Sequence, residues 1–250
     1  MLKFKDARIQ STSFAARTEA IDTLVLHYTE LDLEASLRIL RYGEVSVHYV
    51  LAEDGTVYRL LQEDEIGYHA GLSMWHTKPC VNGRSIGIEI VNLNGNEHPY
   101  PPQQIQALIE LCRHILAANP GIIAGNIVGH SDIAPKRKID PGRKFPWQTL
   151  AEAGIGLWPT GATPEPIESI NQVQCLLNRC GYPSPHAYGK IAGRWVFITE
   201  PVPPPEVTHL VQVTTSDILR AFQWRFQAHT PSGIANDETI GLLKKLAMLT

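Results

Sequence analysis

The chain has 250 residues, of which 44% are hydrophobic and 19% charged, so it can form one large domain or two modest ones and is not intrinsically disordered. Its 22 basic and 25 acidic residues give a net charge of −3, which argues against a nucleic acid or an anionic membrane surface as partner. No stretch of about 18 apolar residues occurs and no export signal is visible, so the sequence predicts no transmembrane helix. The four cysteines form no CxxC pair and predict free thiols rather than a disulfide scaffold.

The first 160 residues alternate between strand patterns and helix patterns. Apolar runs typical of strands are TLVLHYT from Thr23, SVHYVLA from Ser46, TVYRLL from Thr56, SIGIEIVN from Ser85 and NIVGH from Asn126. Helical patterns cover Leu33–Tyr42 and Gln103–Ala118, and the second carries one broad apolar stripe that would pack on a sheet. This alternation predicts an α/β domain. A Gly- and Pro-rich stretch at 154–166 predicts a linker, so we divide the chain into residues 1–160 and 161–250.

Residues 161–250 predict a small, mainly helical module. The expected helices are one from about Ile167 that ends at Gly181, one through Ile218–Phe226 and one capped by Asn236. Between the first two, Pro203–Pro205 exclude a helix, and the β-branched residues around them predict extended segments.

Two histidines and an aspartate form a candidate metal site. His27 ends a strand-like run, while His130 and Asp140 belong to the string GHSDIAPKRKIDPG. A lone histidine is more often a packed strand residue, so the prediction depends on all three coming together. Two imidazoles and one carboxylate suit zinc, and they leave a fourth position for water, which is typical of a catalytic site. Asp132 is a competing ligand, but so close to His130 it is better suited to capping a turn or holding an imidazole N–H.

Glu89 and Lys138 are the candidate acid–base and electrostatic groups. In SIGIEIVN the isoleucines form one face, so Glu89 points to the other face beside Gly87, where it either pairs with a cation or acts as a general base. Lys138 lies two residues before Asp140, so in an extended loop both side chains point the same way and the ammonium could stabilise an oxyanion. The alternative for Lys138 is a solvated basic loop, since Lys136 and Arg137 precede it.

Five strings in chain order carry a family resemblance: LVLHYT, SVHYVLAEDGTVYRL, YHAGLSMW, SIGIEIVN and GHSDIAPKRKIDPG. They resemble the zinc-dependent N-acetylmuramoyl-L-alanine amidases of the type 2 amidase family, over about residues 20–158. The resemblance is greatest to the periplasmic branch that carries a C-terminal peptidoglycan-binding module. It implies a mixed central β-sheet flanked by helices in residues 1–160, followed by a peptidoglycan-binding-like helical module in residues 161–250.

The resemblance also assigns roles to individual residues. It implies that zinc binds to His27, His130 and Asp140, while Glu89 activates water and Lys138 steadies the tetrahedral intermediate. The family uses the surroundings of its HAG motif to line the cleft, which implies substrate contacts for His69 and Trp75. The implied reaction is hydrolysis of the amide between N-acetylmuramic or anhydro-muramic acid and L-alanine, in peptidoglycan or muropeptides.

Two alternatives remain open. The first is a peptidoglycan-recognition protein of similar fold without catalysis, against which the intact ligand set argues. The second is the same enzyme working in cytoplasmic recycling or as an effector delivered into rival cells. The C-terminal module favours polymeric cell wall as substrate, so the expected location is the periplasm or cell envelope. The sequence does not decide between a monomer and a dimer.

Overall fold

A computed structural model describes residues 3–5, 11–199, 202–229 and 231–250, with side chains from residue 11 onward. Its strands are β1 (Lys3–Lys5), β2 (Phe14–Ala16), β3 (Thr23–Tyr28), β4 (Tyr49–Leu51), β5 (Thr56–Arg59), β6 (Glu65–Gly67), β7 (Met74–Trp75), β8 (Lys78–Pro79), β9 (Ser85–Ile90), β10 (Ile127–Gly129), β11 (His186–Ile191), β12 (Arg194–Ile198) and β13 (Thr208–Val213). Its helices are α1 (Leu33–Tyr42), α2 (Pro102–Ala118), α3 (His130–Ile133), α4 (Trp147–Glu152), α5 (Ile170–Arg179), α6 (Thr215–Phe226) and α7 (Asp237–Leu246). None of these helices is both long and apolar enough to cross a membrane.

Six strands form the central sheet, in the order β1-β5-β4-β9-β3-β10. Strands β4 and β5 run antiparallel, and the other neighbouring pairs of this sheet run parallel. The expected mixed sheet flanked by helices is therefore confirmed. Strands β3 and β9 pair over their whole length, and their register sets His27 beside Glu89.

Helix α2 covers one face of the central sheet. Its Leu108 and Cys112 are fully buried in a cluster with Leu24 and Ile88, which lie on the same face of β3 and β9. Helix α2 begins at a proline, whose missing N–H would have no partner in a first turn anyway. Because side chains alternate along a strand, His27 and Glu89 lie on the face that α2 leaves uncovered.

The C-terminal part packs against that second face. Val25 and Val128 of the sheet share a hydrophobic cluster with Leu177 of α5 and Phe222 of α6. The three predicted helices are present, and the Pro-rich insert contains a three-stranded antiparallel sheet in the order β12-β11-β13. The division at residue 160 stays a prediction, since the hydrophobic cluster continues across it.

Gly181 shows how closely the two parts meet. Its φ is +96°, and a Cβ at this position would lie 2.5 Å from the ring of Trp75. The sequence predicted this glycine as the end of a helix, and the close approach of Trp75 is a second reason for it. The four cysteines, Cys80, Cys112, Cys175 and Cys180, are free thiols.

Candidate metal centre and catalytic cleft

His27, His130 and Asp140 meet at one end of the central sheet. His27 lies near the end of β3, and His130 directly follows β10, the parallel neighbour of β3. The Nδ1 atoms of the two histidines are 2.9 Å apart, and each is 3.1 Å from Oδ2 of Asp140. All three side chains are buried. The structure therefore brings together the three residues that the sequence predicted as ligands.

This group fits a divalent cation. The three donor atoms converge at separations close to the roughly 3.3 Å expected between ligands of one tetrahedral zinc ion. Burial, reinforced by His130, lowers the pKa of His27 to about 4, so its imidazole is neutral at pH 7 and can act as a ligand. Burial acts to raise the pKa of Asp140, but the adjacent His130 and His27 hold it well below its usual range. The group thus offers the neutral imidazole of His27, the carboxylate of Asp140 and a ring nitrogen of His130.

Glu89 faces the same end of the sheet from the neighbouring strand. Its Oε2 is buried and accepts no hydrogen bond from the described residues. Burial, followed by the negative charge of Asp140, raises its pKa well above the ordinary value. A buried carboxylate oxygen without a partner is costly, which indicates that this atom binds something other than the protein itself.

A cleft of about 450 Å³ joins these groups. Its lining includes Glu89, Lys138 and Asp140, so the lysine and the two carboxylates face one space, as the sequence predicted. The sequence did not single out Arg137 and Glu30, which also line it. Arg137 belongs to a basic run that, from sequence alone, is typical of a solvated loop. In the structure, its guanidinium instead donates to the carbonyl oxygens of Ala70 and Leu72 at 2.6 and 2.8 Å. No local pattern indicated Glu30, whose backbone φ of 57° is uncommon for a residue other than glycine.

The two residues expected to touch substrate differ in position. His69 borders the cleft but is 7% exposed, with its Nδ1 3.0 Å from Nε2 of His27. Trp75 is 1% exposed, and its indole N–H donates to Oδ1 of Asn126 while its ring contacts Tyr182. The structure thus places Trp75 in the core between the two parts of the chain, with no face toward the cleft. The family motif located this segment but could not show which side chains pack inward.

Asp132 lies outside the ligand group and holds a turn. Its Oδ2 accepts the backbone N–H of Gly129 at 2.8 Å, which fixes the start of the helix that carries His130. The same carboxylate accepts a hydrogen bond from Tyr182 at 2.5 Å and pairs with Arg225 at 2.9 Å. The capping role was one of the predicted possibilities, while both partners from the C-terminal part were missed.

Comparison with known proteins gives one consistent result. A family model described as N-acetylmuramoyl-L-alanine amidase matches residues 17–143. The chain is 39% identical over 186 residues to N-acetylmuramoyl-L-alanine amidase AmiD of Escherichia coli, covering 65% of this chain and 67% of that protein. It is 38% identical over 104 residues to 1,6-anhydro-N-acetylmuramyl-L-alanine amidase AmpD of Haemophilus influenzae, covering 42% of this chain and 55% of that protein. The chain therefore spans about half the length of the Haemophilus enzyme.

Solved structures extend the likeness to the C-terminal part. E. coli AmiD in complex with the substrate anhydro-N-acetylmuramic acid-L-Ala-D-gamma-Glu-L-Lys superposes with a TM-score of 0.73 at 32% identity, covering 94% of this chain and 92% of AmiD. AmpDh3 of Pseudomonas aeruginosa superposes with a TM-score of 0.73 at 30% identity, covering 92% of each chain.

Proposed function

The chain belongs to the N-acetylmuramoyl-L-alanine amidase family, and on that premise we propose that His27, His130 and Asp140 hold zinc while Glu89 and Lys138 act on the substrate. The reaction is hydrolysis of the amide bond between N-acetylmuramic acid, or its anhydro form, and L-alanine. The observation that carries the assignment of roles is the buried, unpartnered Oε2 of Glu89, which borders the same cleft as His130 and Asp140.

Zinc bound to the three ligands would supply Lewis-acid activation of water and of the amide carbonyl. The Glu89 carboxylate takes a proton from the attacking water as the water oxygen bonds to the carbonyl carbon. Glu89 then gives that proton to the alanine nitrogen as the C–N bond breaks. The products are a muramic acid carboxylate and a peptide with a free amino group on L-alanine.

Lys138 stabilises the charge that develops on the carbonyl oxygen. Its side chain borders the cleft together with Asp140, which supports this role. A positioned donor of this kind contributes on the order of 3 kcal/mol of transition-state stabilisation. The lysine is a point charge with three donors, so it can follow the oxygen as the carbon becomes tetrahedral.

We further propose that the substrates are muropeptides and peptidoglycan strands, and that the enzyme works in the periplasm or cell envelope. AmiD, of which 92% is covered by this chain, was solved in complex with an anhydro-muramyl tripeptide substrate, which supports a muropeptide as the substrate of this chain. Residues 161–250 would assist binding of polymeric peptidoglycan.

Metal removal tests the proposed function. We expect one zinc per chain by elemental analysis and release of peptides that begin with L-alanine from purified peptidoglycan, detected by mass spectrometry. Chelation should abolish the release, and added zinc should restore it, because activation of the water and of the amide carbonyl would depend on zinc. Release that persists after complete zinc removal would contradict the assignment. Zinc and peptidoglycan binding without release would instead support a recognition protein.

A further inference from the structure

A short segment, His69–Gly71, contacts the outer side of both histidine ligands. We call it the HAG segment. Nε2 of His27 lies 3.0 Å from Nδ1 of His69, and Nε2 of His130 lies 3.1 Å from the carbonyl oxygen of Ala70. Consecutive residues of one segment therefore meet the two imidazole nitrogens that point away from the proposed metal.

The hydrogen bonds behind His27 form a chain with one donor at each link. An imidazole that binds a cation through Nδ1 carries its proton on Nε2, so His27 donates to Nδ1 of His69. The proton of His69 is then on its own Nε2, which lies 3.3 Å from Oγ of Ser85. Ser85 in turn donates to the carbonyl oxygen of Val81 at 2.7 Å. This series of hydrogen bonds ends on the backbone carbonyl oxygen of Val81. It therefore fixes the orientation of the His27 ring without involving a charged side chain.

Strand β9 leaves the room that His69 needs. A Cβ at Gly87 would lie 2.6 Å from the His69 ring, so only glycine at this position allows the ring to reach His27. Gly87 precedes Glu89 by two residues on the same face of the strand. Gly87, which lies beside the proposed base, thus leaves the space in which His69 contacts the proposed metal ligand His27.

Asn82 holds the HAG segment from behind. Its Oδ1 accepts the backbone N–H of His69 at 3.1 Å and that of Ala70 at 2.7 Å. Asn82 lies in the 3-10 helix Val81–Arg84. Among the described residues, it is not one of those that line the cleft. One amide oxygen therefore orients the two groups that receive the N–H bonds of both histidine ligands.

We infer that the HAG segment is the outer support of the metal site and that Asn82 is a positioning residue for zinc affinity. His69 then acts by orienting His27 rather than by binding substrate. This inference rests on the proposed zinc site. Partners of this kind orient ligating imidazoles, and their loss typically weakens metal affinity by about 10–100-fold.

Three variants test the inference: Asn82→Ala, Asn82→Asp and, as a matched control, Asn119→Ala. Asn119 is another partly buried asparagine, whose Nδ2 donates to Glu63 and to the carbonyl oxygen of Ile115, away from the metal site. Zinc affinity is measured by competition with a chromogenic chelator, and folding by thermal unfolding of the zinc-free proteins.

We expect zinc affinity to fall about 10–100-fold in Asn82→Ala. Asn82→Asp should stay within about threefold of wild type, because a carboxylate oxygen still accepts both N–H groups. Asn119→Ala should keep wild-type zinc affinity even if it melts at a lower temperature. Wild-type zinc affinity in a folded Asn82→Ala protein overturns the inference, as does an equal loss in Asn82→Asp.

Two further results separate the inference from the proposed function. Should Asn82→Ala fail to fold, Ser85→Ala replaces it, because this change removes the acceptor of His69 and should also weaken zinc binding. Unchanged zinc affinity in that variant overturns the inference as well. A wild-type protein that binds no zinc contradicts the proposed function itself, whereas zinc binding that is indifferent to these changes contradicts only the role of the HAG segment.

Discussion

Replacing Glu89 with glutamine is expected to lower kcat/KM for muropeptide hydrolysis by about 10²–10⁴-fold. Glutamine has nearly the same shape but cannot take a proton from water, so zinc content and substrate affinity should stay close to wild type. The measurement is hydrolysis of a soluble muropeptide followed by chromatography, with zinc content determined on the same samples and substrate affinity by calorimetry.

The matched control for this change is Glu30→Gln. Glu30 lines the same cleft and contributes, after burial and the charge of Asp140, to raising the pKa of Glu89. Its replacement removes one negative charge from the cleft without removing the proposed base, so hydrolysis should change far less than in Glu89→Gln. Near-wild-type turnover by Glu89→Gln would show that Glu89 is not the base, and equal losses in the two variants would assign the effect to cleft charge alone.

Replacing Arg225 with methionine is expected to destabilise the protein by about 3–5 kcal/mol. The change leaves the Asp132 carboxylate buried without its cation, although methionine keeps much of the volume of the arginine. Arg225 also stacks on the ring of Trp147 at 3.9 Å, which adds to the loss. For a chain of this size the melting temperature should fall on the order of 10 °C at a fixed zinc concentration, measured by calorimetry.

Arg220→Met is the control for Arg225→Met. Arg220 pairs with Asp217 at 3.5 Å, but its side chain is 43% exposed, and exposed pairs contribute less than about 1 kcal/mol. Its melting temperature should therefore remain within a few degrees of wild type. Similar melting of the two variants would mean that the pair between Asp132 and Arg225 does not stabilise the junction between the two parts of the chain.

Local patterns were sufficient to predict most of the regular elements. The bounds predicted for α1 are the observed ones. The amphipathic stripe of this helix and the Asp32 cap at its start are both local features of the sequence, so no distant contact is needed to place the helix. The short strands β1, β2, β6, β7 and β8 were missed, since each has only two or three residues and, unlike β4 and β10, does not lie within one of the recognised apolar runs. In the Pro-rich insert the sequence predicted extended segments, but their pairing into a sheet depends on contacts between residues far apart in the chain.

The sequence by itself determined which side chains could carry the chemistry. The types and order of His27, Glu89, His130, Lys138 and Asp140 follow from short motifs, and the structure brings all five to one end of the sheet. Alternation along β3 and β9 was enough to set the direction of His27 and Glu89, because this property is local to each strand.

Tertiary structure alone decided what holds those side chains in place. His69 contacts His27, a proposed ligand 42 residues away in the sequence. Trp75 packs in the core against Tyr182 and donates a hydrogen bond to Asn126. Asp132 pairs with the guanidinium of Arg225, 93 residues further along the chain. A buried polar group must find a hydrogen-bond partner or a counter-charge, and any segment that the fold brings near can supply it. Sequence motifs therefore identify the groups of the site, whereas their supporting partners emerge only when distant segments are packed together.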